Sequence, residues 1–537
     1  MRFRAGTTRR NFARERARSS RAAAVVCLLC LCLLGVAACS GGSGSKADAP
    51  SPHRGGTLRV AVVGVPSLDP ARSDQPAAAL VAGMLSTPLV RVDPVSANPK
   101  PGIAARWSAD PTQTRFTFAL RTNARFSDGT PVTAADVVAT LNRVRQPATR
   151  SPLASTLSIV RRVTAPNTTT VVIDLVRPLA VLPSLLAQPG LGILPRAEVA
   201  APARLATTPV GSGPFRFVRR TRSTMEFVGV RPAAAKTSPP PWVDGVELVE
   251  YRTVAAAYAG YRAGRVDVAP VGRPESDDAT RRREHIVSAP YLAVSFYALN
   301  LKAFKFLDAR FRQAIVHALD AKTLVKVGYA STALVDDGLI PEGVGTRPTD
   351  ACARRCDYDP ATSRRLLKAA FPKGNVLPIA IDFDDDPTQR AVATEVRREL
   401  QAVGIPATIR PHPIDQYSQY LNLGQVELFR FGWVADYPST EAFLGPPFST
   451  GAKENVIGFK SAAFDAALRA AEREPDPARR AADYAKAEAA VLDAAAVAPV
   501  VQFETRRVVT SSVRSLTLDP FGAFDATKVW LAPAPKR

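Results

Sequence analysis

The sequence predicts an α/β protein organised on a parallel sheet, and three observations predict it. Residues 377–383, 407–410 and 427–434 read as short apolar strands, and they alternate with helical patterns over 388–403 and 415–423. Strand, helix, strand, helix, strand at these spacings is a parallel βαβαβ unit with right-handed crossovers. The last strand ends abruptly in Trp433-Val434-Ala435-Asp436-Tyr437-Pro438, an aromatic, an acid and a proline. In such sheets ligands bind beyond the carboxyl ends of the strands, where loops and helix amino termini converge. Trp433 and Asp436 are therefore expected at a site. A carboxylate beside an indole suits a primary ammonium. The competing reading makes Asp436 the cap of a turn before Pro438 and Trp433 a core residue.

Taken from its start, the chain opens on an address. Residues 2–21 carry eight arginines and one acid, residues 22–38 are apolar and small, and Val36-Ala37-Ala38-Cys39 follows. This is a signal peptide over 1–38, too short in its apolar part to span a bilayer. Small residues ending in cysteine resemble a bacterial lipobox, which implies cleavage before Cys39 and acylation of its thiol. Residues 39–54 then form a flexible tether, beginning with the Ser/Gly run 40–45. Thr8 to Arg14 also resembles a twin-arginine export signal, with Ala13 where leucine is usual.

The whole chain has a formal net charge of +22, and removing the leader leaves about +15. Arginine pairs are scattered, with neither zinc-finger spacing nor an aromatic-interleaved basic stripe, so no nucleic-acid partner is expected. Of six cysteines, three fall in the leader and one is Cys39. Cys352 and Cys356 remain and are read as a local disulfide in an oxidising compartment, since a metal site needs further ligands nearby. The 46% hydrophobic content over about 500 mature residues is enough for two or three domains.

The folded part begins with a strand over 57–63, followed by the Ser67-Leu68-Asp69-Pro70 turn. Residues 115–121 alternate with period two as a half-buried strand. Thr133 and Asp136 form a capping-box-like helix start, with Val137, Val138, Leu141 and Val144 as the apolar face. Further on, 294–299 and 497–503 read as strands, and 308–319 and 478–495 as helices. Asp384-Asp385-Asp386-Pro387 is read as a helix start and not as a metal site. Of the four histidines, His317 lies on an apolar helix face as a structural residue. Walker, His-Glu-x-x-His and Gly-x-Ser-x-Gly signatures are missing from the sequence, and no cofactor is expected.

Several blocks in order carry a family resemblance. They are Ala104 to Trp107, Phe116 to Arg121, Phe126 to Val138, Pro209 to Phe215, Gly264 to Val268, Tyr297 to Asn300, Phe311 to Asp320 and Trp433 to Pro438. They closely resemble the bacterial extracellular solute-binding proteins of family 5, the oligopeptide- and dipeptide-binding lipoproteins of ABC importers, and the resemblance covers essentially residues 55–510. The resemblance implies a periplasmic-binding-protein-like type II clamshell of two lobes with an inserted domain. Lobe I would comprise 55–95, 207–296 and 496–537, the inserted domain 96–206 and lobe III 297–495.

It also implies a binding protein and not an enzyme, monomeric, lipid-anchored outside the cytoplasmic membrane, and docking on a permease with its ATPases. Asp436 matches the acid that pairs with a peptide's α-ammonium, and Trp433 and Tyr437 match the adjoining cleft. Asn300 and the Asp74-Gln75 loop are further cleft candidates, Asn300 equally readable as a strand cap. The sequence departs from the family at Tyr437-Pro438-Ser439, where many members have an acid and a proline after the tyrosine. Two other readings stand beside peptide capture: the same fold for haem, an oligosaccharide or a metal chelate, and a secreted hydrolase or structural lipoprotein.

Overall fold

The strand Thr57–Val63 is held at both edges by parallel partners, Gly245–Tyr251 on one side and Val268–Pro270 on the other. Arg59 secures it further. Its guanidinium meets the Asp267 carboxylate at 2.8 and 3.1 Å, and its backbone N–H donates to the same group at 2.9 Å. The computed structural model describes residues 51–64, 66–72, 76–230, 240–345 and 351–533. The leader, Cys39 and most of the tether therefore lie outside the described residues, as does the Asp74-Gln75 loop. From Pro52 onward the chain groups as one unit.

Its frame is an 11-stranded sheet. One end is the expected parallel unit: Ile379–Asp384 runs parallel to both Ala407–His412 and Leu428–Val434, with helices Pro387–Ala402 and Tyr417–Asn422 as the crossovers. Asp386 starts the first of these helices by accepting from Thr388 and Gln389 N–H at 2.7 and 3.0 Å. The other end is mixed, with Phe215–Arg220, Thr224–Gly229 and Gly245–Tyr251 antiparallel and Thr57–Val63 beside them.

Two long antiparallel strands, His285–Leu299 and Val497–Val509, join the two ends. Both are longer than the sequence pattern indicated. Residues 285–291 mix polar and apolar side chains without regular alternation and include Pro290, which cannot donate to a ladder and so hides a strand. The register breaks at that point: Pro290 pairs with Glu504, but Val294 pairs with Gln502. Extra residues on one strand bend it and raise its local twist.

A separate four-stranded antiparallel sheet, ordered Ala104–Ala109, Arg115–Leu120, Thr170–Leu175, Val160–Asn167, carries helix Ala134–Arg145 on one face. Val137, Leu141 and Val144 bury against Phe116, Phe118 and Ile173 as the helical spacing requires. Thr133 and Asp136 close the capping box, and Asp136 also accepts from Arg196 N–H at 2.9 Å.

The blocks that carried the resemblance are tied to one another. Ser127 N–H donates to Gly211 O at 2.8 Å, and Ser212 Oγ accepts from Thr87 N–H at 3.0 Å. Gly213 is obligatory there, because a Cβ would fall 2.2 Å from the Met84 carbonyl oxygen. Cys352 and Cys356 are joined in a disulfide. His317 Nδ1 lies 2.8 Å from the Asp357 carbonyl oxygen, a structural role.

Candidate binding cleft

Along Leu428–Val434 the side chains alternate between the two faces of the sheet, so Phe429, Phe431 and Trp433 fall on one side. Trp433 stacks on Phe431 at 6.4 Å between ring centres and donates its indole N–H to Ala442 O at 2.8 Å. Beyond the strand the alternation continues for a few residues. Val434 is exposed, Ala435 buried and tied to Leu292 O at 2.8 Å, Asp436 exposed and Tyr437 buried. Ser439 then caps the helix Thr440–Phe448.

Two cavities meet at this turn, and Val434 and Asp436 line both. The larger, about 730 Å³, opens between the segments around Thr156 and Arg177 and the helices Thr440–Phe448 and Ala462–Arg473. Its volume falls within the usual range for small-ligand sites. The smaller, about 140 Å³, is bounded by Leu153, Tyr291, Leu292 and Phe521. The Asp436 carboxylate accepts a hydrogen bond from the Thr156 hydroxyl across the larger cavity.

The wall beneath Asp436 is an ionic cluster. Tyr437 is 7% exposed and gives its hydroxyl proton to Glu441, which is 4% exposed. Arg177 reaches Glu472 at 2.5 Å and Glu441 at 3.7 Å. Burial pushes both carboxyl groups above their usual range and the Tyr437 phenol well above its own. The two acids in turn hold Arg177 above its ordinary value against the opposing effect of burial. A half-exposed guanidinium bridging two buried acids ties the segment around Arg177 to the helices Thr440–Phe448 and Ala462–Arg473.

The structure thus brings Trp433, Asp436 and Tyr437 to one place, with the Tyr437 hydroxyl turned inward to Glu441. Asn300 stands apart. Antiparallel pairing sets Val294 opposite Trp433 but Leu299 opposite Leu428, which puts Asn300 at the far end of the strand. Five residues of strand correspond to roughly 17 Å. There it is 5% exposed and donates to the Gly424 and Val426 carbonyls at 3.1 and 2.8 Å, the cap of a strand end. Thr156, Arg177, Glu441 and Glu472 were not singled out from sequence, and no local pattern marks them. Among the described residues no cluster of His, Cys, Asp or Glu is arranged for a metal ion.

Residues 98–455 match the middle segment of the bacterial extracellular solute-binding proteins, family 5. The chain belongs to this family. Its fold is the family's type II clamshell, two lobes with an extra domain, and the activity of this family-5 protein is solute binding and not turnover. The periplasmic oligopeptide-binding protein OppA of Salmonella typhimurium is 24% identical over 515 residues, 88% of this chain and 89% of OppA. Among solved structures, the unliganded open form of the periplasmic murein tripeptide binding protein MppA superposes with a TM-score of 0.82 at 22% identity, over 90% of this chain and 98% of that one. Haemophilus influenzae OppA in complex with RPPGFSPFR gives 0.64 at 23% identity, over 90% of this chain and all of that one. The described residues contain no helix long and apolar enough to cross a membrane.

Proposed function

We propose that this family-5 protein captures peptides through their α-ammonium and presents them to an ABC permease. The observation that carries the reading is the Asp436 carboxylate, exposed where two cavities meet and backed by the indole of Trp433. A charge-assisted hydrogen bond from an ammonium to this acid anchors the ligand. The larger cavity is roomy enough to take the ligand's side chains. The relatives named for oligopeptides and murein peptides support the same class of ligand.

In this reading lobe I is residues 55–95, 207–296 and 496–537, the inserted domain 96–206 and lobe III 297–495. The lobes close about the break at Pro290–Val294. Lipidation of Cys39 holds the monomer at the outer face of the membrane within reach of its permease.

Thermal shift with a mixed peptide library, for wild type and Asp436→Ala, tests the proposal. Peptides with free amino termini should raise Tm, and N-acetylated peptides should not. Asp436→Ala should weaken binding by about 2–5 kcal/mol, mostly the cost of leaving the ammonium unpartnered in the closed site. Equal stabilisation by free and acetylated peptides would remove Asp436 from the mechanism. Stabilisation by haem or sugar alone would transfer the fold to another ligand.

A further inference from the structure

The two cavities that share Asp436 differ in chemistry. The smaller is lined by proline, leucine, phenylalanine and tyrosine side chains with Gln188, and among the described residues Asp436 is its one charged lining residue. The larger is lined by five acids, Asp436, Glu441, Glu454, Asp465 and Glu472, and by two arginines, Arg177 and Arg469. Arg177 is committed to Glu441 and Glu472. That leaves Asp436, Glu454 and Asp465 against Arg469.

The imbalance is local. The whole chain is at +22, so a negative cavity does not follow from composition. Asp465 accepts from Thr450 N–H at 3.1 Å, which fixes the carboxylate without neutralising it. Among the described residues neither Glu454 nor Asp465 has a cation partner. A concave wall focuses such a field more strongly than an open surface does.

We infer that the 730 Å³ cavity beside Asp436 selects ligands carrying a second cation, so that the preferred solutes are peptides with a lysine or arginine close to a free amino terminus. The inference rests on the assignment of the ammonium to Asp436. It adds a side-chain preference that the anchoring contact alone does not supply. The apolar cavity takes a neutral side chain on the other side of the same carboxylate, giving the site two unlike neighbours around one anchor.

Isothermal titration of the purified protein tests this with Lys-Ala-Ala, Ala-Lys-Ala and Ala-Ala-Lys, each against its counterpart with norleucine in place of lysine. Norleucine keeps the aliphatic stem and removes the charge. At least one lysine peptide should bind about five- to tenfold more tightly than its counterpart, the scale of one or two partly screened ion pairs. That ratio should shrink toward one in Glu454→Gln/Asp465→Asn, and in wild type as salt is raised, because screening weakens exposed pairs. The salt series does not depend on the variant folding.

Equal affinities within every pair, with N-acetylation still abolishing binding, would overturn the cation preference and leave the ammonium reading intact. A ratio that survives the double substitution would overturn the acidic wall as its source. Failure of every peptide to bind would overturn the anchor and the preference together.

Discussion

Asp69 and Arg143 are 74 positions apart and meet in a buried bidentate pair at 2.6 and 3.0 Å, one in the turn after the first strand and the other on the helix of the four-stranded sheet. Each compensates the other's buried charge, and without Arg143 the one cation left to the Asp69 carboxylate among the described residues is Arg72, at a long 3.9 Å. Arg143→Met should cost about 3–5 kcal/mol in urea unfolding, whereas changing the exposed Arg219, paired with Glu226 at the surface, should leave the midpoint unmoved. The sequence showed Asp69 as a turn residue and gave no hint of its partner, because nothing local links two side chains so far apart. The same holds at the cleft. Asp436 and Trp433 were legible because a strand ending in an aromatic and an acid is a local pattern. The Thr156 hydroxyl on Asp436 and the Arg177 bridge come from 280 and nearly 300 positions away. Tyr437 lines the same cavity as its neighbour, and what the sequence did not display is that its hydroxyl goes to Glu441.

Helix Pro387–Ala402 illustrates what an element adds beyond its period. Its start at Asp386-Pro387 and its apolar spacing were readable, since both obey local rules. Glu399 was not readable as a buried acid. It is 4% exposed, accepts from Asp320 N–H at 3.0 Å, and burial pushes its carboxyl group up to about 7. The folded state thus binds this proton more tightly than the unfolded chain, whose carboxyl group titrates near 4.5. The resulting stabilisation is complete below the unfolded value and is lost as pH rises through the folded one. Wild type should lose about 1–3 kcal/mol between roughly pH 5 and 8 from this group. Glu399→Gln, which keeps an acceptor for Asp320, should flatten that part of the Tm–pH curve. An identical slope in the two proteins would assign it to other groups. The strand Val497–Val509 carries the opposite lesson: its second half contains Glu504, Arg506 and Arg507, and only its tertiary position makes them strand residues.

At the scale of the molecule, the two ends of the 11-stranded sheet are joined through His285–Leu299 and Val497–Val509, and the register breaks between Pro290 and Val294. The proposed closure about this point would narrow the cavities around Asp436. Small-angle scattering should show a smaller radius of gyration with a binding peptide than without one, and no change in Asp436→Ala at the same concentration. Tight binding with no contraction would show that the site fills without lobe motion. The clamshell itself was legible only through several blocks in order, because each block alone is a short turn or helix start that many folds contain. Their meaning lies in contacts such as Ser127 with Gly211, which sequence spacing does not display.

The placement of Val497–Val509 also governs when the molecule can form. This late segment lies inside the sheet, between His285–Leu299 and Val268–Pro270, and Thr57–Val63 in turn waits for Gly245–Tyr251. Each pairing closes a loop of about 200 residues, an entropy cost that precedes any reward from contact and slows assembly. Without Val497–Val509 the two ends of the sheet lack the strand that stitches them. The two halves of the sheet stay unjoined until Val497–Val509 docks between them, whatever the order in which the other strands pair.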